Sequence, residues 1–234
     1  MMLMKNASRR EYRLKDGTMV PGVTTVLGVL DKPALAKWRA EYGWQCHKDG
    51  LPSMPWPIPT DGTAGVGTIA HYKINCWLTG SQPEYDPKWL AEHIKMADVP
   101  VKRFWQYYNQ RCGGDPGLSA PPIFTEYSMV HENLRYGGTP DLLLETDEGV
   151  ELWDIKTSKA IYEEYYLQLA GYKMLLDQDP KWRQMKIRPR VVLVTKAGKL
   201  EAPDVSVAYM AKARAVWSRL IKFYHEYNSF RKAA

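Results

Sequence analysis

Two aspartates and a lysine stand where a β-hairpin would gather them: Asp141, Asp154 and Lys156, in the run YGGTPDLLLETDEGVELWDIKT from Tyr136 to Thr157. Neighbouring carboxylates raise one another's pKa unless a cation sits between them. Hard divalent ions such as Mg²⁺ or Mn²⁺ are held by such oxygens. A lysine beside them can orient a water and offset charge on a phosphoryl oxygen. An ordinary exposed hairpin with a surface Asp–Lys pair would show the same letters, so the rest of the chain has to decide.

The positioning elements follow from periodicity. Leu142–Glu145 and Val150–Lys156 read as antiparallel strands around Asp147-Glu148-Gly149. Side chains alternate along a strand, so Asp154 and Lys156 share a face. A turn centred on Glu148-Gly149 sets Asp141 opposite Lys156, and a slip by two residues keeps the face. Residues Ile123 to Val130 alternate as one more strand, which would bring Glu126 to the same patch. A helix starting near Val66 or Gly67 carries His71, with Ile69, Tyr72 and Trp77 as its apolar stripe. Glycines there permit close backbone approach, and free N–H groups at a helix start can hold a phosphate. After the hairpin, Ile161–Gln178 forms a helix on which Gln168 and Tyr172, four apart, face the same way.

Composition bounds the function classes. The chain has 234 residues, 45% of them hydrophobic, enough for one well-filled core. Residues 181–234 carry 13 Lys/Arg against 3 Asp/Glu, whereas residues 1–180 carry 19 against 23. The basic C-terminal third offers a surface to a polyanion, or is simply a solvated face. Cys46, Cys76 and Cys112 match no zinc or iron–sulphur spacing, and an odd count argues against a disulfide framework. That usage, with no signal-peptide pattern and no long apolar run, leads us to expect a cytoplasmic protein without membrane contact. No phosphate-binding GxxxxGK[ST] or dinucleotide GxGxxG motif is present, so ATP- or NAD-dependent chemistry has no visible site.

The layout predicts a single domain over 1–234: an arm, a helix and a Pro-rich loop in 1–61, a core in 62–200 and a basic helix in 201–234. Asp31 and Pro33 read as the cap and first turn of the early helix, with Leu35, Trp38 and Tyr42 on one side. Pro52, Pro55, Pro57 and Pro59 exclude a regular element around Trp56. Residues 88–111 read as one helix or two broken at Pro100, and CGGDPG from Cys112 is a loop. Arg190–Thr195 is nearly all apolar, as an interior strand would be. Asp204–Tyr227 is the last long helix, with Val207, Met210, Val216, Trp217, Leu220, Ile221 and Tyr224 at helical spacing. Strands alternating with helices predict an α/β or α+β fold, a mixed sheet flanked by helices.

In order along the chain stand Gly67-Thr68-Ile69-Ala70-His71, Glu126, Gly138-Thr139-Pro140-Asp141, Asp154-Ile155-Lys156 and Gln168-Leu169-Ala170-Gly171-Tyr172. This order resembles the RecB-type, lambda-exonuclease-like branch of the PD-(D/E)xK nuclease superfamily, over roughly residues 62 to 200. VTTVLGVLDKPALAKW also looks like the N-terminal segment of phage-encoded members. The resemblance implies a restriction-endonuclease-like α/β core and Mg²⁺- or Mn²⁺-dependent hydrolysis of DNA. It implies Asp141 and Asp154 as main metal ligands, helped by the Ile155 carbonyl, His71 and Glu126. Lys156 would position water, and Gln168 and Tyr172 would bind DNA phosphate and brace the site. Expected partners are DNA ends or single-stranded regions, with a single-strand-binding or recombination protein alongside. The four cysteines of iron–sulphur relatives are absent, so no cluster is expected.

Three other readings stay open on sequence: a binding protein of the same fold with a degenerate site, a junction- or site-specific endonuclease, and a non-nuclease enzyme on an unrelated fold. Polarity, RNA against DNA, and oligomeric state have no sequence signal.

Overall fold

The computed structural model describes residues 10–30, 33–51, 63–87, 89–112 and 122–233. The Asp31 cap, the Leu35 and Trp38 side chains, the Pro-rich loop with Trp56, and residues 113–117 of the CGGDPG loop lie outside what is described.

The chain opens with a short ribbon, β1 (Tyr12–Arg13) and β2 (Met19–Val20), then α1 (Val23–Leu27) and α2 (Pro33–Lys48). Next come α3 (Thr63–Leu78), α4 (Ala91–Met96) and α5 (Asp98–Arg111). Strands β3 (Phe124–Thr125), β4 (Met129–His131), β5 (Tyr136–Gly138), β6 (Leu142–Thr146) and β7 (Gly149–Lys156) follow. The order ends with α6 (Glu163–Leu176), α7 (Pro180–Gln184), β8 (Arg188–Val194), β9 (Leu200–Glu201) and α8 (Val207–Ala233). No helix among the described residues is long and apolar enough to cross a membrane.

The central sheet runs β3-β6-β7-β8-β9 and is mixed: β7 pairs antiparallel with β6 and parallel with β8. Its two faces read directly from strand alternation. Leu143 and Leu152 point into a core with α1, α6 and α8, built around Leu169, Trp217 and Ile221. Leu142, Leu144, Trp153 and Ile155 point the other way, onto Ile74 of α3 and Phe104 and Tyr108 of α5. This is an α/β fold with a mixed sheet covered by helices on both sides, which is why β8 is apolar from Val191 to Val194. At the turn end of the hairpin, buried Glu151 accepts from Arg190 Nε at 2.9 Å, Arg190 Nη2 at 3.0 Å and Trp153 Nε1 at 2.7 Å. That satisfies an otherwise costly buried charge.

Several expectations need correction. The hairpin turn is Asp147-Glu148, with Thr146 opposite Gly149 and Leu142 opposite Trp153. Thr146 fixes it: its hydroxyl donates to the Gly149 carbonyl at 2.9 Å and accepts from the Glu148 N–H at 3.2 Å, while Gly149 takes φ +107°. The register therefore differs by two, and Asp141 stands level with Asp154 rather than Lys156.

Residues 123–130 are not one strand. Glu126 has φ +47°, a left-handed turn that breaks the extended chain. β3 stays in the main sheet, whereas β4 pairs with β5 in a separate ribbon.

α3 begins at Thr63, so Gly67 lies inside the helix and is not a free N-terminus. Its stripe is Val66, Ile69, Ala70 and Ile74; Trp77 is 47% exposed, packed beside Trp105. The helix break falls at Ala97, and Pro100 sits in the first turn of α5, where a missing N–H costs little. On α8, Val207 and Val216 are exposed, and the helix continues to Ala233.

Candidate active site

The site forms where β7 ends. The Asp141 side chain, one residue before β6, folds over onto β7: its Oδ2 accepts the Ile155 N–H at 2.7 Å. Asp154 is 1% exposed. Its Oδ1 accepts from Gln168 Nε2 at 3.0 Å, and the same amide nitrogen donates to the Tyr172 hydroxyl at 2.8 Å. Lys156 Nζ lies 2.6 Å from Asp154 Oδ2 and 5.0 Å from the centre of the Tyr165 ring. His71 reaches in from α3, with Nδ1 3.7 Å from Asp141 Oδ1.

Glycines make these approaches possible. A methyl group on Gly67 would stand 2.4 Å from Thr157 Oγ1, so only glycine lets α3 lie against the end of β7. A methyl group on Gly138 would stand 2.8 Å from the Tyr172 ring. The spacing of each glycine from its acid or histidine thus has a packing reason.

Glu126 comes near by a different route from the one expected. Its backbone N–H donates to the Asp141 carbonyl at 2.9 Å, and its carboxylate pairs with Arg10 at 3.0 Å. His71, Asn75, Glu126, Asp141 and Ile155 line one small open cleft. Asn75 escaped sequence reasoning. It stands one turn after His71, and its Oδ1 is buried without a hydrogen-bond partner among the described residues. The signal was present in the four-residue spacing from His71, but nothing in the letters marks that amide as unsatisfied.

The charges are interdependent. Burial pushes the Asp154 carboxyl up to about 6; Lys156 works against that shift and Asp141 adds to it. Burial also opposes ionisation of Asp141, but the charge of His71, together with Lys156 and the Ile155 N–H, holds it below the usual carboxylate range. Burial disfavours charge on His71 and Lys156 too, yet the Asp141 and Asp154 carboxylates keep both above their ordinary values. Tyr172 is driven well up by burial, so it stays a neutral hydroxyl.

Among the described residues, no three His, Cys, Asp or Glu side chains converge as a metal cluster. The donor chemistry nevertheless suits a hard cation. Asp154 Oδ2 is buried, and its near partner is the Lys156 ammonium at 2.6 Å. Two neighbouring carboxylates with a backbone carbonyl beside them are the oxygen donors that Mg²⁺ or Mn²⁺ takes. Asp141, Asp154 and the Ile155 carbonyl are the oxygens available, with His71 adjoining.

Gln168 and Tyr172 were expected to bind DNA phosphate and to brace the site. Both are buried and bonded to one another, and Gln168 is bonded to Asp154. Gln168 thus contacts the carboxylate directly, and Tyr172 contacts it through Gln168.

No family model matches this chain, and no curated protein does. Among solved structures, one described as a "Putative exonuclease" from Eubacterium rectale superposes with a TM-score of 0.46 at 16% identity, covering 77% of this chain and 73% of that one. The structure of SSO0001 superposes with a TM-score of 0.34 at 13% identity, covering 72% of this chain and 78% of that one. Likenesses this distant leave the chain an α/β protein whose chemistry is read from its own residues.

Proposed function

We propose that this chain is a metal-dependent deoxyribonuclease, and that it acts as an exonuclease. The observation that carries the reading is the pair Asp141 and Asp154, level with one another at the end of β7, with Lys156 Nζ 2.6 Å from Asp154. The motif order set out above adds the choice of DNA and of ends, and with it a place in phage or recombination and repair processing.

Bound Mg²⁺ or Mn²⁺ would supply charge neutralisation at the phosphate and an acidified water. Asp141 and Asp154 would hold it, with the Ile155 carbonyl, and His71 would adjoin Asp141. Lys156 keeps its proton at neutral pH because two carboxylates face it, so it acts as a donor: it orients the attacking water or holds a phosphoryl oxygen. Gln168 holds Asp154 through Oδ1, which leaves Oδ2 on the side of Lys156 for a ligand.

A digestion series tests this. Linear duplex, closed-circular duplex and single-stranded DNA, labelled at either end, are incubated with Mg²⁺ or Mn²⁺. Short products from linear DNA alone support the exonuclease, and the label lost first gives its polarity. Cuts in the closed circle would replace it with an endonuclease. No metal-dependent product from any substrate would overturn the reading.

A further inference from the structure

We propose that the outer face of α8 is a binding track for single-stranded DNA. The inner face of this helix is taken up by the core through Ala213, Trp217, Leu220 and Ile221. The outer face is not polar, as a solvated helix face would be. Tyr209 is 41% exposed, Val216 44%, Phe223 52% and Phe230 72%. These four recur at every seventh residue, which returns a helical side chain to within about 20° of its starting direction. They therefore form one stripe, about 30 Å long at the helical rise. Tyr227 joins it: its ring stacks on Phe223 with centroids 5.7 Å apart and planes 10° from parallel, and Arg231 lies 5.8 Å over Tyr227.

The surrounding charge selects the occupant. α8 carries six cations and a single acid, Glu226. Arg214 is engaged by Asp177 at 2.6 Å. Lys212, Arg219 and Lys222 are exposed beside the stripe, and among the described residues no carboxylate pairs with them. Two copies of the helix face to face would crowd like charges, so self-association is disfavoured. A polyanion is favoured. Exposed aromatic faces between cations match a strand whose bases are free to stack, since a duplex hides its base faces. The choice of DNA rests on the nuclease reading above; the surface itself does not.

The test uses the full chain in EDTA, where hydrolysis is suppressed, and the fluorescence anisotropy of a labelled oligothymidylate. The Phe223→Ala/Phe230→Ala variant should bind at least about tenfold more weakly. The Phe223→Tyr/Phe230→Tyr variant should bind like the parent, as should Trp44→Ala, an exposed aromatic on α2. Arg219→Glu/Lys222→Glu should weaken binding and flatten its dependence on salt. Parent-like binding by the phenylalanine-to-alanine variant would overturn the proposal. So would a parent dimer that this variant dissociates while its affinity for DNA stays unchanged, because the face would then serve self-association. Hydrolysis with Mg²⁺, measured on the same preparations, separates the two claims. An inert protein that still loses DNA binding with the phenylalanines refutes the nuclease and keeps the track; the converse refutes only the track.

Discussion

Gly67 and Thr157 meet so closely that a methyl group on the glycine would stand 2.4 Å from the threonine hydroxyl. One lies on the helix that carries His71, the other just past the strand that carries Asp154 and Lys156. The contact fixes how far His71 sits from Asp141, and it makes a packing requirement of a residue that the motif presents only as a letter.

Replacing Gly67 by alanine should therefore be harmful even though alanine favours a helix interior by about 1 kcal/mol over glycine. The clash pushes α3 off β7 and withdraws His71. Adding Thr157→Ala removes the obstructing oxygen, and the next atom in line stands at an ordinary 3.7 Å. Thermal melts and DNA hydrolysis of both singles and the double should show recovery in the double. Additive losses would show that the contact does not govern the site.

Gln168→Leu keeps the side-chain volume but strips Asp154 Oδ1 and the Tyr172 hydroxyl of their buried amide partner, so stability should fall by about 1–3 kcal/mol. Hydrolysis should fall by about tenfold or more, with the larger effect at low Mg²⁺. A loss independent of Mg²⁺ concentration would instead support direct contact of Gln168 with DNA.

The pH dependence follows from Asp154. Its folded-state carboxyl titrates near 6, above the unfolded value, so folding holds its proton more tightly. Stability from this group is present below about pH 4 and is lost as pH rises to about 6. Metal-free Asp154→Asn should gain on the parent in melting temperature across that window, and the gain should level off above it. Asp141, held low, contributes in the opposite sense: its stability is present above the ordinary carboxylate range and is lost as pH falls. The Asp154→Asn minus parent difference isolates the first effect. A difference flat from pH 4 to 7 would contradict it.

The hairpin, the long helices and the interior strand were legible because alternation and helical periodicity report burial directly. The register was not. Two candidate turns differ by one residue, and the choice fell to hydrogen bonds of Thr146 that no pattern announces. The kink at Glu126 was equally hidden, since a non-glycine residue at φ +47° carries no sequence mark. Asp141, Asp154 and Lys156 were readable as a group because a two-residue slip keeps one face. Asn75 and the burial of Gln168 were not readable, because each depends on how helices pack across the sheet.

Lys156→Ala should separate water positioning from metal binding. Without the ammonium, Asp154 Oδ2 has one fewer competitor, so Mg²⁺ should still raise the melting temperature of this variant, while hydrolysis falls by about a hundredfold or more. Loss of the Mg²⁺-induced shift would mean that Lys156 is needed to organise the carboxylates themselves.

The most direct test is release of acid-soluble nucleotide from end-labelled linear duplex DNA with Mg²⁺, comparing the parent with Asp154→Asn at matched circular dichroism. The parent should release nucleotide, and the variant should fall by at least about a hundredfold, the loss of several kcal/mol of transition-state stabilisation. Equal release by the two folded proteins, or none by either, would contradict a nuclease centred on Asp141, Asp154 and Lys156.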